Sequence, residues 1–291
     1  MKKILITGGG GFIGKNLVEK LNHEYIIMNP GKEELDLCDT FAVENYLRNH
    51  TVDIVIHTAN YGARDTESAL PSDVLNNGLR MFFNLARCNH LYERMYYFGS
   101  GAEYDREHYI PYMTEDYFGK YVPKDAYGFY KYILANYCTD ESNIYDLRLF
   151  GIYGKYEQWR YRFISSNICR VLKGLPMTLS QNMYFDYIYI DDLANIMKWF
   201  IENKPKYHHY NVCRGTHIDL YSLGNIIKDT LKTNCDFLVA NEGYKLEYSG
   251  NNTRLISEIG AYTFTPYETT IRFLKDYYLG IIDSIDAGVL P

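Results

Sequence analysis

The chain has 291 residues and a formal net charge of -6, from 30 Lys plus Arg against 36 Asp plus Glu, which gives it no general attraction to nucleic acid or an anionic membrane. At this length it can bury on the order of 75% of the surface of its unfolded chain, so a core forms without staples and one large domain with a smaller lobe is expected. Six scattered cysteines without a Cys-x-x-Cys pair speak for free thiols rather than a disulfide framework, and no metal site is expected.

Ile4-Leu5-Ile6 reads as a buried strand that starts almost at once, and no apolar run reaches the ~18 residues of a membrane span, so a cytoplasmic location is expected. The glycines that follow, in Thr7-Gly8-Gly9-Gly10-Gly11-Phe12-Ile13-Gly14, turn the chain into a helix. That helix should begin near Gly11, with Ile13, Leu17 and Leu21 against the sheet and Lys15, Glu19 and Lys20 mostly in water. Gly8, Gly11 and Gly14 have separate tasks: the tight turn, close approach of a pyrophosphate, and close helix-to-strand packing. Amides at the helix start, around Phe12 and Ile13, then face the phosphates of a dinucleotide.

The second strand, Tyr25 to Met28, runs into Asn29-Pro30-Gly31-Lys32. An Asp or Glu at this strand end would hold the ribose hydroxyls of NAD(H), and none is present. Lys32 instead lies where a 2′-phosphate would sit, which favours NADP(H); NAD(H), with Asn29 on the ribose, is the alternative. Leu35 to Asp39 precedes a helix with Val43, Tyr46 and Leu47 on one face and Asp39 or Thr40 as its cap. Val52 to His57 is a near-continuous apolar run, as a parallel strand covered on both faces requires, and Thr58, Ala59 and Asn60 then pass under the cofactor. A helix with Met81, Phe82, Leu85 and Ala86 leads to the strand Arg94 to Phe98. This rhythm predicts an α/β protein with a doubly wound parallel sheet.

Ser100 follows that strand at the carboxyl edge of the sheet, where ligands bind in open α/β folds. Downstream, Tyr127 and Lys131 are four apart on one helical face, their Cβ atoms roughly 5 to 6 Å apart. A free tyrosine titrates near ~10, so Tyr127 exchanges protons at neutral pH only if Lys131 and a nicotinamide cation lower that value. Tyr130 has no such partner, which singles out Tyr127.

Together these residues resemble the extended short-chain dehydrogenase/reductase family of nucleotide-sugar epimerases, dehydratases and reductases. The resemblance spans about residues 2 to 200 and includes Arg148-Leu149-Phe150-Gly151-Ile152-Tyr153-Gly154 and Phe185-Asp186-Tyr187-Ile188-Tyr189-Ile190-Asp191-Asp192. It implies a Rossmann fold formed by residues 1–150 plus about 186–206, with a smaller mixed α/β substrate-binding lobe from about 151–185 plus 207–291. It also implies that Tyr127 exchanges a proton with a sugar hydroxyl, Ser100 holds that oxygen, and Lys131 binds the nicotinamide ribose. Asp36 and Leu37 fall at the adenine position.

Departures from the family pattern narrow the activity. The related 4,6-dehydratases carry Asp-Glu where this chain has Gly101 and Ala102, and neither of these can transfer a proton. Phe185 stands where an Arg commonly reaches the nucleotide diphosphate, leaving Arg160, Arg162 or Arg254 to serve. The expected reaction is NADPH-dependent reduction of a 4-keto nucleotide sugar. An NAD-retaining C4 epimerase or C4 dehydrogenase is the alternative, and a non-catalytic NADP(H)-sensing protein is a reading of another class. A homodimer paired through the Met81 helix and the Tyr127 helix is also expected.

Overall fold

The computed structural model describes residues 1–61 and 70–290. Strand and helix alternate in β1 (Lys3–Thr7), α1 (Phe12–Leu21), β2 (Ile26–Met28), α2 (Thr40–Asn49), β3 (Ile54–His57), α3 (Pro71–Ala86), β4 (Arg94–Ser100), α4 (Ala126–Asp140) and β5 (Ile144–Leu149). The chain continues through β6 (Gly151–Tyr153), α5 (Phe163–Leu172), β7 (Met177–Asn182), β8 (Tyr184–Phe185), β9 (Tyr187–Tyr189) and α6 (Ile190–Glu202). It closes with β10 (His209–Val212), β11 (Ile218–Asp219), α7 (Leu220–Leu231), β12 (Phe237–Tyr244), α8 (Thr253–Ile259) and α9 (Tyr267–Leu279).

Six strands form one sheet in the order β10-β5-β4-β3-β1-β2, every pairing parallel. The period of two along each strand sends alternate side chains to opposite faces. Ile4 and Ile6 of β1 join Leu17 of α1 and Leu193, Met197 and Phe200 of α6 on one side. Leu5, Val55 and Tyr97 meet Phe82, Leu85 and Leu134 of α3 and α4 on the other. Covered on both faces, the sheet keeps all of its ligand-binding potential at its carboxyl edge, where Thr7, His57, Ser100 and Leu149 end their strands.

Some details differ from the sequence reading, among them β4, which runs on through Ser100 instead of ending at Phe98. Strand β2 starts at Ile26, because Tyr25 is still bonded to the end of α1 through its amide and the Leu21 carbonyl. On α1, Leu17 and Leu21 are fully buried but Ile13 is only partly so. Asn16 is buried there too, donating through Nδ2 to the Phe12 and Lys155 carbonyls at 2.8 and 2.9 Å. Finally, β10 pairs with β5 and extends the main sheet beyond the expected boundary at residue 206. Asp39, not Thr40, caps α2, accepting from the Phe41 and Ala42 amides at 2.8 and 2.9 Å.

The other strands make small pairs, β7 with β12, β8 with β11 and β6 with β9, next to α5, α7 and α9. Among the described residues, no helix is long and apolar enough to cross a membrane, and no group of three or more His, Cys, Asp or Glu could hold a metal ion.

Candidate active site

The glycine loop between β1 and α1 is bare backbone by necessity. Gly8 has φ +71°, and a Cβ there would lie 2.7 Å from the backbone of Ala59. Its carbonyl accepts the Gly11 amide at 2.8 Å, and a Cβ on Gly14 would collide with that carbonyl. Phe12 and Ile13 stand partly buried at the open first turn of α1. Thr58 ties the neighbouring strand end in, its Oγ1 donating to the Thr7 carbonyl at 2.7 Å. Asn29 packs over Gly9, where a Cβ would meet its side chain at 2.8 Å. Lys32 reaches out instead, its side chain 78% exposed and its Nζ 4.0 Å from Asp36. Asp36 in turn accepts the Cys38 amide at 2.9 Å, beside the buried Leu37.

A turn that cannot hold side chains, at the start of a helix whose first amides are open, fits a dinucleotide pyrophosphate. The residues placed to hold it are Gly8, Gly11, Phe12, Ile13 and Gly14. On the sequence reading, Asn29, Lys32, Asp36 and Leu37 would serve the adenosine half, and Thr58, Ala59, Tyr127 and Lys131 the nicotinamide half.

Ser100 closes β4 and opens a 3₁₀ turn, Gly101–Tyr104. Its hydroxyl accepts the Ala102 amide at 3.1 Å, and its own amide donates to the Glu103 carboxylate at 2.8 Å. Asp125 caps α4 by accepting the Gly128 amide at 2.9 Å. A Cβ on Gly128 would lie 2.9 Å from the Ala102 carbonyl, so α4 docks its first turn directly onto the 3₁₀ turn. That contact brings the half-buried Tyr127 within hydrogen-bonding reach of the Ser100 side chain.

One turn later, Lys131 Nζ donates to the Phe98 carbonyl at 2.7 Å and lies 5.8 Å from the centroid of the Tyr127 ring. Burial pulls Lys131 down to about 8, with Glu103 and Asp146 opposing the drop. Burial also raises Tyr127 above its ordinary 10, against the pull of Ser100, Arg106 and Arg162. The lowering expected from Lys131 therefore does not prevail among the chain's own groups, because burial of the phenol outweighs it. Tyr127 therefore keeps its proton at neutral pH. Tyr130 points elsewhere, its hydroxyl donating to Asn60 Oδ1.

Beneath Ser100 lies a buried ionic cluster that the sequence reading missed. Arg148 Nε is 2.7 Å from Glu103 and 2.9 Å from Asp146, with all three side chains fully buried. Arg148 also donates to the Tyr104 hydroxyl at 3.1 Å. Burial, then Asp146, pushes the Glu103 carboxyl well up. Burial pushes Asp146 the same way, but Arg148 beside it prevails and holds it low. The two carboxyls thus compete for one guanidinium, Glu103 shifted toward its neutral form and Asp146 toward its charged form. Ser100-x-x-Glu103 is a capping-box spacing, and it was the available signal.

The three candidate arginines separate. Arg160 has a buried Nε with no hydrogen-bond partner among the described residues. Arg162 precedes α5, and its charge acts on Tyr127, Glu157 and Tyr187. Arg254 on α8 is committed elsewhere: Nη2 is 3.1 Å from Asp116, Nε 3.8 Å from Glu115, and Nη1 donates to the His209 carbonyl at 3.2 Å. His209 pairs with Asp146, three residues short of the Ser100 level, so those acids draw Arg254 away from the carboxyl edge. Phe185 stacks on Tyr187 at 4.4 Å and forms an aromatic wall with Tyr248.

A glycine cradle, a Ser-Tyr-Lys set and an aromatic wall now stand at one sheet edge, and the family profile described as NAD dependent epimerase/dehydratase family matches residues 4–213. The chain belongs to the NAD dependent epimerase/dehydratase family. Within this family, the chain is 24% identical to an ADP-L-glycero-D-manno-heptose-6-epimerase of Brachyspira hyodysenteriae over 264 residues, 79% of this chain and 81% of that one. The fold is similar to a GDP-L-fucose synthetase from Naegleria fowleri bound to NADP, with TM-score 0.84, 16% identity, and 97% and 94% of the two chains covered. It is likewise similar to a GDP-mannoheptose C4 reductase from Campylobacter jejuni with NADP bound, with TM-score 0.82, 20% identity, and 96% and 98% covered. At this edge the chain has Ser100 and Tyr127 side by side and offers hydrogen only at Gly101 and methyl at Ala102.

Proposed function

We propose that the protein reduces a 4-keto nucleotide sugar with NADPH. The observation that carries this reading is the stripped edge beside Ser100. Gly101 and Ala102 supply no acid or base, and the space above Gly101 is closed by Tyr248 and Phe150. Elimination and epimerisation next to the ketone need such a group; carbonyl reduction does not. When bound, the reduced nicotinamide supplies the hydride. Ser100 holds the sugar oxygen, Tyr127 delivers its proton to that oxygen, and Lys131 carries positive charge at the base of the pair. Arg160 and Arg162 serve the diphosphate. The similar fold of a C4 reductase with NADP bound is in keeping with this assignment.

The test is NADPH consumption at 340 nm across a panel of 4-keto nucleotide sugars. Turnover of one member, lost by about 10² to 10⁴-fold in Tyr127→Phe while NADPH still binds, is the expected result. Absence of turnover throughout, or a fully active Tyr127→Phe, overturns it. One observation favours a second reading, an NAD-retaining C4 epimerase or C4 dehydrogenase: Lys32 leans toward Asp36 and leaves Asn29 nearer the glycine loop. Tightly held NAD released on denaturing the purified protein would select it.

A further inference from the structure

A second phenol stands at the Ser100 hydroxyl, and it comes from the far part of the chain. Tyr248 is clamped at β8 by its amide donating to the Tyr184 carbonyl at 2.9 Å and its carbonyl accepting the Asp186 amide at 3.0 Å. Its ring lies 4.9 Å from Tyr109, 5.0 Å from Phe150 and 5.0 Å from Phe185, centroid to centroid. That packing aims the hydroxyl at the start of the 3₁₀ turn: a Cβ on Gly101 would sit 2.6 Å from the Tyr248 oxygen. The Ser100 side chain lies within hydrogen-bonding reach of Tyr248 as well as Tyr127.

A serine hydroxyl has one hydrogen to give and two lone pairs to receive. The Ala102 amide takes one lone pair at 3.1 Å. We propose that Tyr248 fills the other and is a positioning residue, fixing Ser100 as a donor toward Tyr127 and the reacting oxygen. Tyr248 keeps its own proton, since burial and the neighbouring Tyr109 push its phenol well up. With both lone pairs filled, Ser100 cannot rotate to accept from Tyr127, and its hydrogen has one direction left. Gly101 follows from the same arrangement, because any side chain there would displace the phenol.

This inference rests on the reading that Ser100 and Tyr127 reduce a carbonyl. Tyr248→Phe keeps the ring and its packing and removes only the hydroxyl. On the panel member that turns over fastest, kcat should fall about 10-fold with KM and NADPH affinity changed less than about 2-fold. In a Ser100→Ala background the same substitution should change kcat less than about 2-fold, because its effect acts through Ser100. Additive losses in the double variant, or an unchanged kcat in Tyr248→Phe, overturn the assignment. If no panel member turns over, the reductase reading fails, and Tyr248 is tested without substrate. Carbon-13 NMR of ring-labelled tyrosine, assigned with Tyr127→Phe, follows ionisation of Tyr127, which faces Ser100, Arg106, Arg162 and Glu103. Tyr248→Phe should move that ionisation upward, as Ser100 ceases to donate. An unmoved Tyr127 overturns the proposal.

Discussion

Lys131 is a charged group held where charge is expensive. Its fall from an ordinary 10.5 to about 8 corresponds to about 3 kcal/mol against folding when the lysine is charged in both states. The sign follows from the direction. Below about pH 8 the cost is complete; between about 8 and 10.5 the folded state sheds its proton first, so this contribution to stability improves as pH rises. Lys131→Met should therefore raise the melting temperature at pH 7 by a few degrees, about 2 to 6 °C, even after losing the hydrogen bond to Phe98. It should also shrink the added stabilisation that saturating NADPH gives. Thermal melts with and without NADPH check both; a Lys131→Met protein that melts lower than wild type contradicts the burial argument. Glu103 is the converse case. Because its carboxyl is shifted toward the neutral form, Glu103→Gln should cost less in urea unfolding than Glu103→Ala, which strips acceptors from both Arg148 and the Ser100 amide and should cost about 3 kcal/mol. Equal losses in the two variants would contradict that shift toward the neutral form.

At the level of elements, cofactor choice lies in the loop after β2. A 2′-phosphate there would meet neutral Asn29 beside Gly9 and an exposed Lys32. A carboxylate placed at Asn29 would oppose it, each charge pair at about 4 Å being worth on the order of 4 kcal/mol at an effective dielectric near 20, before screening. Asn29→Asp should flatten or reverse a preference for NADPH over NADH in fluorescence titrations. Lys32→Ala should weaken NADPH alone, by less than Asn29→Asp does, since its pairing with Asp36 at 4.0 Å already divides its charge. Indifference of NADPH affinity to both substitutions would point the ribose away from this loop. The docking of α4 on the 3₁₀ turn is the other decisive element contact, for it sets the distance between Tyr127 and Ser100.

For the whole molecule, α3 and α4 pack side by side, with Gly78 against the Tyr130 ring, and α4 leaves Phe129 37% exposed on its outer face. We propose that a second copy covers this side, and sedimentation at micromolar concentration should show a dimer that Phe129→Glu dissociates. A monomeric wild type would defeat the proposal. The sheet was legible in the sequence because each strand carries its own apolar run and each helix its own stripe, both local signals. Ser100, Tyr127 and Lys131 were legible because strand end and helical spacing place them. Tyr248 was not, since only the path of the chain through β8 and β12 brings it to Ser100. Arg254 was misplaced for the same reason: its carboxylates, Glu115 and Asp116, are remote in sequence and invisible to any local pattern. The burial that raises the Tyr127 phenol was not legible either, because desolvation depends on what covers a residue, which spacing alone does not show.

The strand order carries a consequence for synthesis of the chain. The main sheet gains its last strand only at His209–Val212, after the chain has left at Leu149 and travelled through β6, α5, β7, β8, β9 and α6. Until the ribosome has released those residues, β5 has an open edge on which Asp146 and Arg148 lack His209 and the Asp146 amide lacks the His208 carbonyl. An unpaired strand bearing half-partnered charges is a poor stopping point for folding and an invitation to pair with another nascent chain. The six-stranded sheet is therefore not a module that the chain's first half can complete alone; its last strand arrives only after strands β6 to β9 have been threaded.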